Sequence, residues 1–378
     1  MSSGRKVAVV TGATGVQGSV LLRKLTDDES WTKVYAVSRR PLDFEHRRMQ
    51  HVVLDLANKD KVTSSLKSEK VSGVTHVFHT AFAGDMTNTD RGVAHMLDHL
   101  IDGLEANGEA LQHVYFTTGL KYYGMHFGAV KAPYLETDDR HMPPNYYYDL
   151  EDTVERRVRG GAKWTYSSLR PPAIIGFSTG STMNLMTCLA VYGTICRELG
   201  VAMKYPGSPK AYDGVFSCAV DNGLLMDAAI YTSTNPKAAN HHFNISNGDP
   251  FRWSQVWPKI AEWFGCKTSE PLAMPLEKLM ADKEPVWRDI QQRHGLKDYK
   301  IDDLVQWSFA DITWKTECDF VCSTSKLRQA GFEGQKLDNL GMFIENLERF
   351  AEQKIIPSYS KTGMKAASCL LSHSGHEV

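Results

Sequence analysis

The sequence predicts an α/β protein, a doubly wound parallel sheet with a smaller helix-rich C-terminal lobe, and three observations carry that prediction. Short β-branched runs alternate with amphipathic stretches through the first half of the chain. Two of those runs are apolar almost without interruption, as strands covered on both faces are. After about residue 180 the rhythm changes to helix-patterned segments.

In chain order, the strand-like runs are KVAVVT (6–11), KVYAVS (33–38), HVVLDL (51–56), THVFHTA (75–81), HVYFTT (113–118) and WTYSSLR (164–170). Between them, residues 18–27 and 90–107 repeat Leu, Val and Met at spacings of three and four, the period of a helix with one apolar face. The later helical patterns cover 183–198, 253–264, 275–294 and 337–352, with one strand at 241–246. From 358 the periodicity is lost, which predicts a flexible tail. The expected division is a sheet domain over 1–180, a substrate lobe over 181–357 interleaved with it, and the tail 358–378.

Composition narrows the class of partner. The 43 Lys and Arg against 44 Asp and Glu leave a net charge of -1, so nothing electrostatic favours nucleic acid or an anionic membrane. The opening residues MSSGRKVAVV carry too short an apolar run for a secretory signal, and no stretch reaches the roughly 18 apolar residues of a spanning helix. Seven scattered cysteines fit reduced thiols, so the expectation is a cytoplasmic protein acting on a small molecule. No metal is expected: the 14 histidines include no HExxH, and His241 and His242, adjacent on a strand, point to opposite faces.

The first strand leads into Thr11-Gly12-Ala13-Thr14-Gly15-Val16-Gln17-Gly18 and then a helical run. Glycines there allow a tight turn, close approach to a pyrophosphate and close helix–strand packing, while the helix N-terminus offers free N–H groups. This strand–loop–helix context points to a dinucleotide and a Rossmann sheet. At the end of the second strand, where an acid would hold an NAD ribose, stand Ser38-Arg39-Arg40. Two guanidiniums suit a 2′-phosphate, so the expected cofactor is NADPH.

The GxxGxxG spacing resembles the short-chain dehydrogenase/reductase superfamily, in which Asp55-Leu56 matches the adenine-contacting pair. Most members carry Tyr-x-x-x-Lys, where the lysine lowers the pKa of an acidic tyrosine. No tyrosine here has lysine four residues on. Instead the chain resembles the progesterone 5β-reductase/iridoid synthase-like (PRISE) enzymes at TGATGVQG (11–18), SRR (38–40), TGLKYYGMHF (118–127), NYYYDLED (145–152), LRPPAIIGFSTGSTMN (169–184), FNISNGD (243–249) and KEPVW (283–287). That covers nearly everything up to about residue 357.

The resemblance implies a catalytic tyrosine at Tyr147 and a catalytic lysine at Lys121, with Glu151 at the fourth position after the tyrosine. It implies that Thr80, Ala81, Thr118, Gly119, Tyr147 and Pro171 complete the cofactor site, that the Ile174 backbone holds the carboxamide, and that Phe82, Phe127, Met183, Asn184 and Phe343 line the substrate cavity. It also implies a small apolar carbonyl substrate and, as in many members, a homodimer. Gly119 stands where serine or threonine is usual, Tyr146 where phenylalanine is, and His126-Phe127 where Pro-Phe is. The activity implied is addition of hydride to the β-carbon of an α,β-unsaturated carbonyl, because a phenol and an ammonium aimed at one oxygen stabilise an enolate. The alternatives are an NADPH-dependent 1,2-carbonyl reductase or a non-catalytic NADP-binding regulator. Gly176-Phe177-Ser178-Thr179-Gly180 also matches the GxSxG of serine hydrolases, but Pro171-Pro172 interrupts the strand that such an elbow needs, so Ser178 is expected to be inert.

Overall fold

The computed structural model describes residues 5–82, 92–128, 130–215, 219–335 and 338–359. The first six strands are β1 (Lys6–Thr11), β2 (Trp31–Ser38), β3 (Met49–Val53), β4 (His76–His79), β5 (His113–Thr117) and β6 (Thr165–Arg170). Helices α1 (Val16–Asp27), α2 (Lys59–Ser68), α3 (Gly92–Ala106) and α4 (Tyr146–Arg159) connect them. Beyond these come β7 (Ala173–Ile175), α5 (Leu185–Glu198), α6 (Pro209–Asp213), β8 (Ala219–Asp221), α7 (Asn222–Thr234) and β9 (His241–Asn244). The chain finishes with α8 (Trp253–Trp263), α9 (Leu276–Leu279), α10 (Glu284–His294), α11 (Ile301–Leu304), α12 (Trp307–Trp314), α13 (Ser325–Gln329) and α14 (Asn339–Glu352). The tail expected to be flexible falls outside the described residues from 360 onward, as do Cys218 and Cys369.

Seven strands form one parallel sheet in the order β3-β2-β1-β4-β5-β6-β9, the Rossmann arrangement, and β7 and β8 form a separate parallel pair. Alternation along β1 distributes the core: Val7 and Val9 pack with Leu97, Leu100, Ile101 and Leu104 of α3 and Leu150 and Val154 of α4. Ala8 and Val10 face the other way, onto Leu21, Leu22 and Leu25 of α1 and Leu225 and Met226 of α7. The strand expected at 241–246 is therefore not a feature of the lobe. It closes the main sheet, with Ser167 beside His241 and Arg170 beside Asn244.

The C-terminal helices gather around α5, in which every residue from Leu185 to Cys196 is buried, as suits a helix enclosed by its neighbours. Trp253, Trp257 and Trp314 meet edge to face above it, with ring centroids 5.6–6.4 Å apart. The single helix expected over 275–294 is two, α9 and α10. Pro285, lacking an N–H, sits in the first turn of α10, where that donor is not needed. Among the described residues no helix is long and apolar enough to cross a membrane.

A buried ion pair joins α4 to β6. Arg170, 2% exposed, donates from Nε and Nη2 to both oxygens of Glu151, 1% exposed, at 2.9–3.1 Å. Arg170 also donates to the Tyr123 hydroxyl at 3.1 Å and lies 3.4 Å over the Tyr122 ring. Tyr123 in turn donates to Asn244 on β9. Breaking such a pair leaves an uncompensated charge, so Arg170→Met should cost about 3–5 kcal/mol in urea unfolding, whereas Glu151→Met with Arg170→Met should cost less. A single variant within about 1 kcal/mol of wild type would show that the pair bears little stability.

Candidate active site

The strand order reverses between β1 and β4, so the loops leaving their C-terminal ends part and open a crevice. Gly12 turns into that crevice with φ +67°, and a Cβ on it would lie 2.8 Å from the backbone of Thr80 and Ala81. The Gly15 N–H donates to the Gly12 carbonyl at 2.8 Å, tightening the loop. A Cβ on Gly18 would come within 2.2 Å of the same carbonyl, so that glycine lets α1 start against the loop. No side chain caps α1, and its first N–H groups face the crevice as donors for an anion.

Two adjoining cavities run along the crevice. One, of about 240 Å³, is lined by Gly12, Thr14, Gly15, Ser38, Arg39, Arg40, Asp55 and Leu56. The Ser38 hydroxyl donates to the Arg40 carbonyl at 2.7 Å and lies 2.9 Å from His51 Nε2, which fixes the turn that presents both arginines. Arg39 is exposed, while Arg40 Nη2 donates to the Gly180 carbonyl at 2.5 Å. The other cavity, of about 290 Å³, is lined by Val16, Gln17, Thr118, Gly119, Lys121, Tyr147, Pro171, Ile174 and Met183. Thr80, Ala81, Phe82 and Ser181 belong to both.

Lys121 stands on a turn of 3₁₀ helix, Leu120–Tyr123, that follows β5, and Tyr147 in the first turn of α4. Asn145 caps α4: its Oδ1 accepts from the Tyr147 N–H at 3.1 Å, and its Nδ2 donates to the Lys121 carbonyl at 3.0 Å. A Cβ on Gly119 would lie 2.7 Å from the Tyr147 hydroxyl, so a serine or threonine there would displace the phenol. Burial raises the Tyr147 pKa above the ordinary 10, partly offset by a hydrogen bond with the Tyr146 side chain.

Sequence comparison decides the family. A model of the PRISE-like Rossmann-fold domain matches residues 8–357. The chain belongs to that family. It is 33% identical over 367 residues to the (S)-8-oxocitronellyl enol synthase ISY1 of Nepeta cataria, covering 93% of each chain. It is 32% identical over 375 residues to the (S)-8-oxocitronellyl enol synthase of Catharanthus roseus, again covering 93% of each. Among solved structures, the UDP-glucose 4-epimerase of Thermotoga maritima superposes with a TM-score of 0.65 at 15% identity, covering 92% of this chain and 99% of the epimerase. The PRISE chain is thus an oxidoreductase on a Rossmann fold.

Five residues expected at the site lie off both cavities of this PRISE protein. Thr11 is buried beneath the loop, where its hydroxyl lies 3.0 Å from His79 Nδ1 and accepts from the Ala81 N–H, and its carbonyl accepts from Thr80. Gly18 packs against Gly12 and Ala13 of the loop. Phe127 is 70% exposed, turned outward against His126 and His141. Burial and the nearby Lys121 push the His126 pKa down to about 4. Asn184 caps α5, accepting from the Met186 N–H and donating to the Gly176 carbonyl. Phe343 is fully buried against Phe251 and Trp253. An apolar side chain on an amphipathic helix reads alike whether it faces core or cavity, which explains the last of these.

Sequence reasoning missed Ser181, at the junction of the cavities, and the far wall formed by Phe309, Ile312, Thr313, Thr316 and Phe320. Ser181 lies inside the LRPPAIIGFSTGSTMN segment; residues 309–320 carried no signal, because only tertiary packing brings them there. The GxSxG segment is also corrected in one respect. A short strand, β7, does run up to Gly176, but no helix starts on Ser178, since α5 begins at Leu185. The Ser178 hydroxyl accepts from the Gly180 N–H at 3.1 Å. A fluorophosphonate should leave Ser178 unlabelled by mass spectrometry; stoichiometric labelling would establish a hydrolase site instead.

Proposed function

We propose that the protein is an NADPH-dependent reductase that adds hydride to the β-carbon of an α,β-unsaturated carbonyl, with Tyr147 and Lys121 stabilising the enolate. The observation that carries this reading is that Lys121 and Tyr147, from separate segments, line one cavity that is continuous with the glycine-loop crevice. A dinucleotide fits the paired cavities: a glycine cradle that a Cβ would fill, an uncapped helix N-terminus and two arginines at one end, and Ile174 and Pro171 at the other. Bound there, it supplies the hydride. On this reading the chain up to about residue 180 holds the cofactor, and the lobe over 181–357 encloses the substrate.

The residues divide the remaining work. A phenol whose pKa lies above 10 stays protonated through the neutral range, so Tyr147 donates a hydrogen bond to the carbonyl oxygen. The Lys121 ammonium stabilises the negative charge that gathers on the same oxygen. Phe82, Met125, Met183, Phe309, Ile312 and Phe320 make the wall apolar, which favours a small apolar substrate. The enol synthase names of the relatives fit a product released from an enolate.

Arg39→Ala should weaken NADPH binding about tenfold or more while leaving NADH nearly unchanged, because a charge-assisted hydrogen bond to phosphate is worth roughly 1.5–3 kcal/mol. Equal titration of both cofactors by the wild type would remove the basis for NADPH preference. With labelled NADPH and an enal, deuterium should appear at the β-carbon. Tyr147→Phe and Lys121→Ala should each retain residual turnover, because the enolate is delocalised and the loss of one oxyanion donor costs at most about 2.7–4 kcal/mol. Label at the carbonyl carbon with Tyr147→Phe inactive would instead identify a 1,2-carbonyl reductase.

A further inference from the structure

Asn145 does more than a helix cap requires. Capping α4 needs only an acceptor for the Tyr147 N–H, a duty that Ser or Asp performs as well as Asn. The other half of the carboxamide, Nδ2, is directed out of the helix to the carbonyl of Lys121, 24 residues earlier in the chain. The side chain is 1% exposed, so water does not compete for either bond. One planar amide therefore connects the backbones of Tyr147 and Lys121.

The surroundings make this tether specific to Lys121. The rest of the 3₁₀ turn is held independently: the Tyr148 hydroxyl donates to the Tyr122 carbonyl at 2.6 Å, and Arg170 stacks on Tyr122 and donates to Tyr123. His141 Nε2 lies 3.2 Å from Asn145 Nδ2. The Lys121 carbonyl also accepts from the Gly124 N–H at 3.1 Å, so losing the Nδ2 donor would leave the turn closed and loosen the link between Lys121 and the cap of α4.

We propose that Asn145 is a positioning residue, whose amide sets the separation of Tyr147 and Lys121 so that both groups reach one substrate oxygen. This rests on the proposed roles of those two residues and adds the device that aligns them. The chemistry accounts for why asparagine, alone among good caps, serves here: serine keeps the cap and lacks the second donor, and aspartate sets an acceptor against the Lys121 carbonyl.

The test compares the wild type with Asn145→Ser and Asn145→Asp in the full chain, alone and with Lys121→Ala, using NADPH and the carbonyl substrate that the wild type reduces. Asn145→Ser should keep a Tm close to that of the wild type and its NADPH Kd, because the cap is preserved, whereas Asn145→Asp should lower Tm by burying a carboxylate against the Lys121 carbonyl. Their kcat should fall about 10- to 100-fold, the scale expected of a misplacement near 1 Å, with KM little changed. In the Lys121→Ala background, Asn145→Ser should cost little further, since its effect passes through Lys121. An undiminished kcat, an equal loss in both backgrounds, or a loss in Asn145→Ser that follows a fallen Tm would each overturn the proposal. The position of the deuterium label judges the enone reading separately, and a wild type that reduces no carbonyl compound would overturn both.

Discussion

The bond between Glu151 and Arg170 organises the region on which the cavity depends. Two charges this deeply buried are tolerable only when every donor and acceptor is used, because the cost of removing them from water rivals their mutual attraction. The chain meets that demand by drawing in neighbours: Tyr123 and the face of Tyr122 for the guanidinium, Arg140 at 3.4 Å and His242 at 3.5 Å for the carboxylate. The neighbours come from three segments, so satisfying the pair brings α4, β6, β9 and the turn bearing Lys121 into a single arrangement. Directional bonds of this kind specify geometry more sharply than apolar packing does.

That arrangement bears on the cation assigned to the proposed mechanism. The side chain four residues after Tyr147 points into a pocket that already holds Arg170. A lysine there would set two cations together at low dielectric, which is costly. The acid at 151 is what Arg170 demands, and on the proposed mechanism the ammonium comes instead from Lys121, on the turn after β5. Gly119 completes the exchange, because the space that a serine or threonine side chain would take beside the tyrosine is occupied by the Tyr147 hydroxyl itself.

Much of this was legible in the sequence because it depends on local rules. The glycine spacing, the arginine turn and the TGLKYY segment sit at strand ends, where chain order alone determines which loops share the crevice. Asn184 was misread although its signal was present, an asparagine directly before an apolar helical run, which is how a cap reads. Phe343 and the α12 wall were not legible in principle. Their placement depends on how the lobe packs around α5, and helical periodicity reports which face is apolar without naming what it meets. Asn145 lay within a recognised motif, yet only the fold brings its amide to Lys121.

The last strand of the main sheet arrives late. Ser168 on β6 pairs with His242 on β9 across 74 positions of chain, and everything between them must emerge from the ribosome before that edge is covered. Until then β6 presents a row of unpaired backbone groups, the kind of surface on which nascent chains associate wrongly. Contacts this distant in sequence slow folding, since the intervening loop must be closed before the pairing is gained. The N-terminal half therefore holds most of the sheet without being a self-sufficient unit. Fragments ending before residue 241 would carry a bare edge, and the maturation of the protein is tied to synthesis of its second half.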